Sequence, residues 1–140
     1  MPDIETIARG LADGLKKQKA DYLEARLEEN RTSQIAYRGK TLESIGRSSA
    51  SGGNVRALDR GGWGFTSFND FSNTADRVAL AVEEARAAGG GKSLLAEVAP
   101  VQDAVTSGVD RHPVDIPLAD KKALLDEYNE WVELQELERL

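Results

Sequence analysis

The 140-residue sequence predicts an α+β fold, with two helices packed on a mostly antiparallel, twisted sheet and a further helix at the C-terminus. Three observations carry this. Apolar residues recur three and four apart near the N-terminus and again after residue 74. Between those segments the period falls to two. Glycine pairs stand where the alternating segments must reverse.

Ile4, Ile7, Ala8, Leu11 and Leu15 form one stripe of a helix over residues 3–18, with Asp3 as its N-cap. In "DYLEARLEE", Leu23, Ala25 and Leu27 share one face while Glu24, Arg26 and Glu28 share the other. A polar turn at Asn30 and Arg31 leads into a second strand, "TSQIAYRG", and Gly39-Lys40 turns the chain into a short segment, Thr41 to Ile45. "GRSSASGG", Gly46 to Gly53, reads as a loop of small residues. Two strands follow, "NVRALD" and "WGFTSF", joined at Arg60-Gly61-Gly62. Residues 74–88 form the second helix, its inner face made of Val78, Ala79, Val82 and Ala85 and its end marked by a triple glycine. Lys92 to Val109 reads as loop. A third helix starts near Pro117 and carries the stripe Leu124, Leu125, Tyr128, Trp131 and Val132. Leu134, Leu137 and Leu140 then drift to another side, so the helix either breaks near Trp131 or offers its last turns to a neighbour.

Composition excludes several function classes. With 18 basic and 24 acidic residues the net charge is -6, and the basic residues are scattered singly, so nucleic-acid binding is not expected. There is no cysteine, hence no disulfide framework, thiolate nucleophile or cysteine zinc site. The N-terminus lacks the apolar run of a signal peptide, and no membrane-length apolar stretch occurs. The expectation is a cytoplasmic protein with no membrane partner, in which the Asn30-Arg31-Thr32 sequon is a chance match.

Three motifs invite a chemical reading. "RAAGGGKS" supplies the last three positions of a phosphate-binding loop, but Arg86 stands where its first glycine belongs and a helix precedes it. "GWGFTS" offers two glycines of a dinucleotide fingerprint, with Ser67 in place of the third, on a segment that reads as strand. His112, the single histidine, has Asp110 and Asp115 nearby, yet a protein zinc site needs three or four convergent ligands. A Ser-His-Asp triad through His112 lacks a nucleophile elbow. Its place before Pro113 suits a turn residue, and no catalytic residue or metal ligand is assigned.

The order "ADYLEARLEENRTSQIAYRGKTLESI", small-residue segment, "VRALDRGGWGFTSFNDFS", Ala-rich helix resembles the N-terminal region of the TldD/PmbA family, whose members are often labelled modulators of DNA gyrase. "HPVDIPLADKKALL" is similar to the stretch leading out of that region. The most specific piece is Val55-Arg56 followed by Gly61-Gly62-Trp63-Gly64-Phe65. Ala57 and Asn54 depart from it, standing where larger or apolar residues are usual. The resemblance implies residues 1–115 as an N-terminal α+β domain and 116–140 as a helical segment leading toward a catalytic domain. It implies a family of zinc metallopeptidases whose His- and Glu-bearing zinc motif and cysteine have no counterpart here. The chain is thus expected to be non-catalytic and cofactor-free, with zinc implied only for that other region. A peptide substrate and a partner subunit of the same family are the implied partners, in a homo- or hetero-oligomer.

Within this frame Arg56, Trp63 and Phe65 are candidates to meet an extended peptide added at a sheet edge, the alternative for all three being packing within the sheet. Trp131, Leu134 and Leu137 are candidates for an interface. A second reading makes the protein a stand-alone interaction module that docks a partner through its acidic, amphipathic C-terminal helix.

Overall fold

A computed structural model describes residues 3–137, with side chains as far as Val132. The elements are α1 (Ile4–Lys17), β1 (Tyr22–Arg38), β2 (Thr41–Asp59), β3 (Gly62–Phe68), α2 (Thr74–Ala88), a 3-10 turn (Pro113–Asp115) and α3 (Leu118–Leu137). The strands form one sheet in the order β1-β2-β3, which gives the α+β arrangement expected. Two sequence expectations fail. β1 runs straight through Asn30 and Arg31, where a turn was expected, and β2 runs through Gly46–Gly53, where a loop was expected. Both stretches are largely exposed, so neither shows the alternation that a one-sided core imposes.

The chain packs as two units, residues 1–30 with 50–101 and residues 31–49 with 102–140. The first holds the hydrophobic core. Asp3 caps α1, its Oδ1 accepting from the Glu5 and Thr6 amides at 2.7 and 3.4 Å. Ile7 and Leu11 of α1 pack with Val78, Ala81, Val82 and Ala85 of α2 and with Val55, Ala57 and Phe68 of the sheet. Leu23, Ala25 and Leu27 join this cluster at its margin, as their alternation requires. Of the inner face expected for α2, Ala79 is only half-buried, and Ala81 takes the core position.

β2 and β3 form a hairpin whose two turn residues, Arg60 and Gly61, have φ of 53° and 79°, the sign a two-residue turn demands at both places. Its register pairs Asp59 with Gly62, Leu58 with Trp63, Ala57 with Gly64 and Arg56 with Phe65. Arg86 ties α2 to this hairpin, its Nε 2.6 Å from Asp59 Oδ2 and its Nη2 2.7 Å from the Lys19 carbonyl.

In the second unit the outer parts of β1 and β2 meet at Gly39 (φ 52°) and Lys40. α3 is attached to this ribbon by polar groups. Lys121 Nζ donates to Ser33 Oγ at 2.7 Å and Asn129 Nδ2 to the Gly39 carbonyl at 2.8 Å. Tyr37 donates to Asp126, which also receives Lys122 Nζ at 2.6 Å. Arg47 Nη2 reaches the Ile116 carbonyl at 2.6 Å.

Candidate functional site

β3, "GWGFTSF", alternates strictly between buried and exposed residues. Gly62, Gly64, Thr66 and Phe68 point toward the helices, while Trp63, Phe65 and Ser67 point the other way. Register carries that division across the sheet. Arg56 stands opposite Phe65, on the face away from buried Val55 and Ala57. On β1, Leu23 and Ala25 face the core, so Tyr22 and Glu24 alternate onto the same outer face as Arg56 and Trp63.

On that face four side chains satisfy one another. The Tyr22 hydroxyl donates to Glu24 Oε2 at 2.5 Å, and Glu24 Oε1 lies 3.0 Å from Arg56 Nη2. The Arg56 guanidinium sits 5.1 Å from the centre of the Trp63 ring, over its face. Tyr22 closes the group by meeting Trp63 edge to face, 6.1 Å between centroids. Electrostatics follow the geometry. The Tyr22 hydrogen bond and then the Arg56 charge hold the Glu24 carboxyl below its usual range, while partial burial opposes them. The same hydrogen bond, with burial, pushes the Tyr22 phenol up.

Phe65 is 57% exposed and Trp63 40%, so an aromatic surface stands free beside the cluster. β3 is also an edge strand. The Phe65 amide points off that edge and donates to Glu84 Oε2 of α2 at 3.2 Å, a carboxylate occupying the place an added strand's carbonyl would take. The arrangement offers aromatic faces and one guarded backbone donor. Arg56, already engaged by Glu24 and Trp63, is a support of this surface.

The structure therefore brings Arg56, Trp63 and Phe65 together. Trp131 lies exposed on α3 in the other unit. Leu134 and Leu137 lie beyond the last described side chain, and Leu140 is outside the described residues altogether. Tyr22, Glu24 and Glu84 were not singled out from the sequence. The alternation of "DYLEARLEE" already put Glu24 on the solvent face, but only its ion pair shows that this is the face of Arg56.

The remaining motifs resolve as local structure. Gly89 is the C-cap of α2, so a helix stands where a phosphate-binding loop needs a strand, and Ser93 Oγ donates to the Gly61 carbonyl at 2.9 Å. His112 Nδ1 accepts from the Val114 amide at 3.2 Å, as a turn residue does. Among the described residues no three His, Asp or Glu side chains converge to hold a metal ion. The residues present do not fit the zinc site that the resemblance implies for the longer proteins.

Residues 23–89, from the start of β1 to the cap of α2, match the family described as PmbA/TldA metallopeptidase domain 1. Over these residues the chain matches the first domain of the TldD/PmbA family. A Synechocystis protein named a metalloprotease is 39% identical over 118 residues, which are 84% of this chain and 26% of that protein. A metalloprotease of Methanothermobacter thermautotrophicus is 28% identical over 111 residues, 79% of this chain and 24% of that one. The chain thus spans about a quarter of the length of the curated relatives it matches. No solved structure matches it. The TldD/PmbA segment takes in β1 from Leu23 onward, β2, β3 and α2, and so contains Arg56, Trp63, Phe65, Glu24 and Glu84. Among the described residues no helix is long and apolar enough to cross a membrane.

Proposed function

We propose that this protein acts as the non-catalytic N-terminal domain of a TldD/PmbA-type zinc metallopeptidase, shaping the peptide channel and the subunit contacts. The observation that carries the reading is the outer face of the sheet. Trp63 and Phe65 stand exposed on it within the segment that matches metallopeptidase domain 1. α1 and α2 pack on the opposite face, and the outer face is held in shape by the Tyr22–Glu24–Arg56–Trp63 cluster.

An extended peptide would lie along β3, its apolar side chains against Phe65 and Trp63 and its carbonyl replacing the Glu84 carboxylate on the Phe65 amide. Displacing a charge-assisted hydrogen bond makes that binding weak. The zinc chemistry belongs to the catalytic region, and no step of it is assigned to these residues.

The test is titration of the full chain with unstructured peptides, following the two tryptophan indole resonances separately. The expected result is saturable movement of Trp63, reduced by Phe65→Ser and strengthened by Glu84→Ala. No binding at millimolar peptide would remove a self-sufficient peptide site and leave a purely architectural role. Hydrolysis of an unfolded protein substrate by the purified chain with added zinc would overturn the non-catalytic reading.

A further inference from the structure

α3 carries more apolar surface than a helix that serves only its own unit can bury. The side chains that attach it to the ribbon are Lys121, Lys122, Asp126 and Asn129. Leu124, Tyr128, Trp131 and Val132, at intervals of four, three and one, are 49 to 64% exposed. Burial of apolar surface drives folding, so a stripe of this size is ordinarily turned inward. Here the half-buried side of α3 holds only Leu118 and Leu125 as large apolar residues, among Lys121, Lys122, Asp126 and Asn129, and a Leu–Tyr–Trp–Val stripe is left beside it. Trp and Tyr are the residue types that dominate interface energetics.

The flank of the stripe indicates what covers it. Asp120, one turn before Leu124, already faces Arg111 at 4.0 Å, while Glu127 sits between Leu124 and Trp131 at i+3 and i−4. Glu130 adds a third carboxylate on the exposed side. Neither Glu127 nor Glu130 is paired among the described residues, whereas the lysines of the helix are turned to Ser33, Tyr37 and Asp126. A second copy of the chain would bring the same carboxylates, on a body of net charge -6, against this flank. A cationic rim is the complement.

We propose that the α3 stripe docks a partner helix whose apolar seam is flanked by lysine or arginine. Leu124, Tyr128, Trp131 and Val132 fill the seam over about two turns, and Glu127 and Glu130 meet the cations. This inference stands apart from the sheet-face reading, because it uses neither β3 nor the segment that matches the family.

The full chain, labelled with nitrogen-15, is titrated with two synthetic helical peptides that share one leucine seam. One is flanked by lysine and the other by glutamate. The lysine-flanked peptide is expected to shift the Trp131 indole and leave Trp63 still. It should bind about tenfold or more tightly than the glutamate-flanked one, and lose affinity as salt rises. Glu127→Lys with Glu130→Lys, two exposed changes that leave the fold intact, should reverse the preference. Trp131→Ser should abolish binding of both peptides. Equal binding of the two peptides, binding of neither, or movement of Trp63 in place of Trp131 would each overturn the proposal. So would sedimentation of the chain alone as a dimer that Trp131→Ser dissociates, since a second copy would then be the occupant.

Discussion

Adding one methyl group at Gly64 is the sharpest perturbation of this fold. A Cβ there would run into the Ala81 carbonyl oxygen and lie 2.6 Å from the Ala85 amide nitrogen. Both obstacles are backbone atoms of α2, so no side chain can swing aside. The helix must lift, and Val78, Ala81, Val82 and Ala85, all wholly buried, lift with it. Overpacking of this kind costs about 1–3 kcal/mol, and the rigidity of the obstacle puts Gly64→Ala near the upper end. Alanine's narrower unfolded ensemble returns about 0.4–1 kcal/mol. The net loss is about 2 kcal/mol, a fall in Tm on the order of 6–10 °C for a domain of this size. Gly46, with nothing within 4 Å of its would-be Cβ, is the control. Gly46→Ala keeps only the entropic gain and should stabilise by about 0.4–1 kcal/mol. Urea and thermal unfolding followed by circular dichroism measure both. Equal stability of the two variants would refute the claim that β3's glycines exist to admit α2.

Replacing Arg86 with methionine removes the bonds to Asp59 and to the Lys19 carbonyl while keeping the aliphatic stem, and should cost about 1–2 kcal/mol, discounted for the exposure of the guanidinium. Arg60→Asn, at a φ of 53°, should stabilise the hairpin by about 0.5–1 kcal/mol in the same unfolding assay, because asparagine tolerates the left-handed region better. Glu24 gives a pH signature. Its folded pKa lies below the usual 4.5, chiefly through the Tyr22 hydrogen bond, so its contribution is fully present above that value and fades as pH falls through the depressed one. The stability difference between the wild type and Glu24→Gln should therefore shrink on acidification below about pH 4.5. Tyr22 has the opposite sense. Its raised pKa means stability present below pH 10 and lost above it, readable as a late phenol titration that Glu24→Gln moves down.

α1 and α2 were legible because each has one buried stripe and a clear terminus, as with Asp3 ahead of Ile7 and Leu11. Strands were legible where one face was buried and illegible where neither was. Leu23, Ala25 and Leu27 announced the start of β1, but Glu28 to Ser33 carries no apolar residue, and a strand wet on both faces looks like a turn. The same holds for "GRSSASGG" within β2. Hydrophobic alternation reports burial and only indirectly extension, so ribbon segments escape it. The site was legible residue by residue and not as a group. Arg56, Trp63 and Phe65 stood out by type, whereas their companions Tyr22 and Glu24 join them through contacts between strands that no local pattern encodes.

The glycines and the aromatics of "GWGFTSF" are two sides of one arrangement. Each glycine on the inner face lets α2 press against bare backbone, and each aromatic on the outer face is carried by that same backbone. With no side chain between strand and helix at positions 62 and 64, a displacement of α2 passes to the outer surface undamped. Trp63, between the two glycines and tied to Arg56 and Tyr22, should report it. Gly64→Ala is therefore expected to change the Trp63 indole resonance even where the fold survives, and to loosen the Glu84 hold on the Phe65 amide, since Glu84 moves with α2. A variant that loses stability while Trp63 and the Phe65 amide stay as they were would separate the two faces. The aromatic surface would then have to be explained without the helix beneath it.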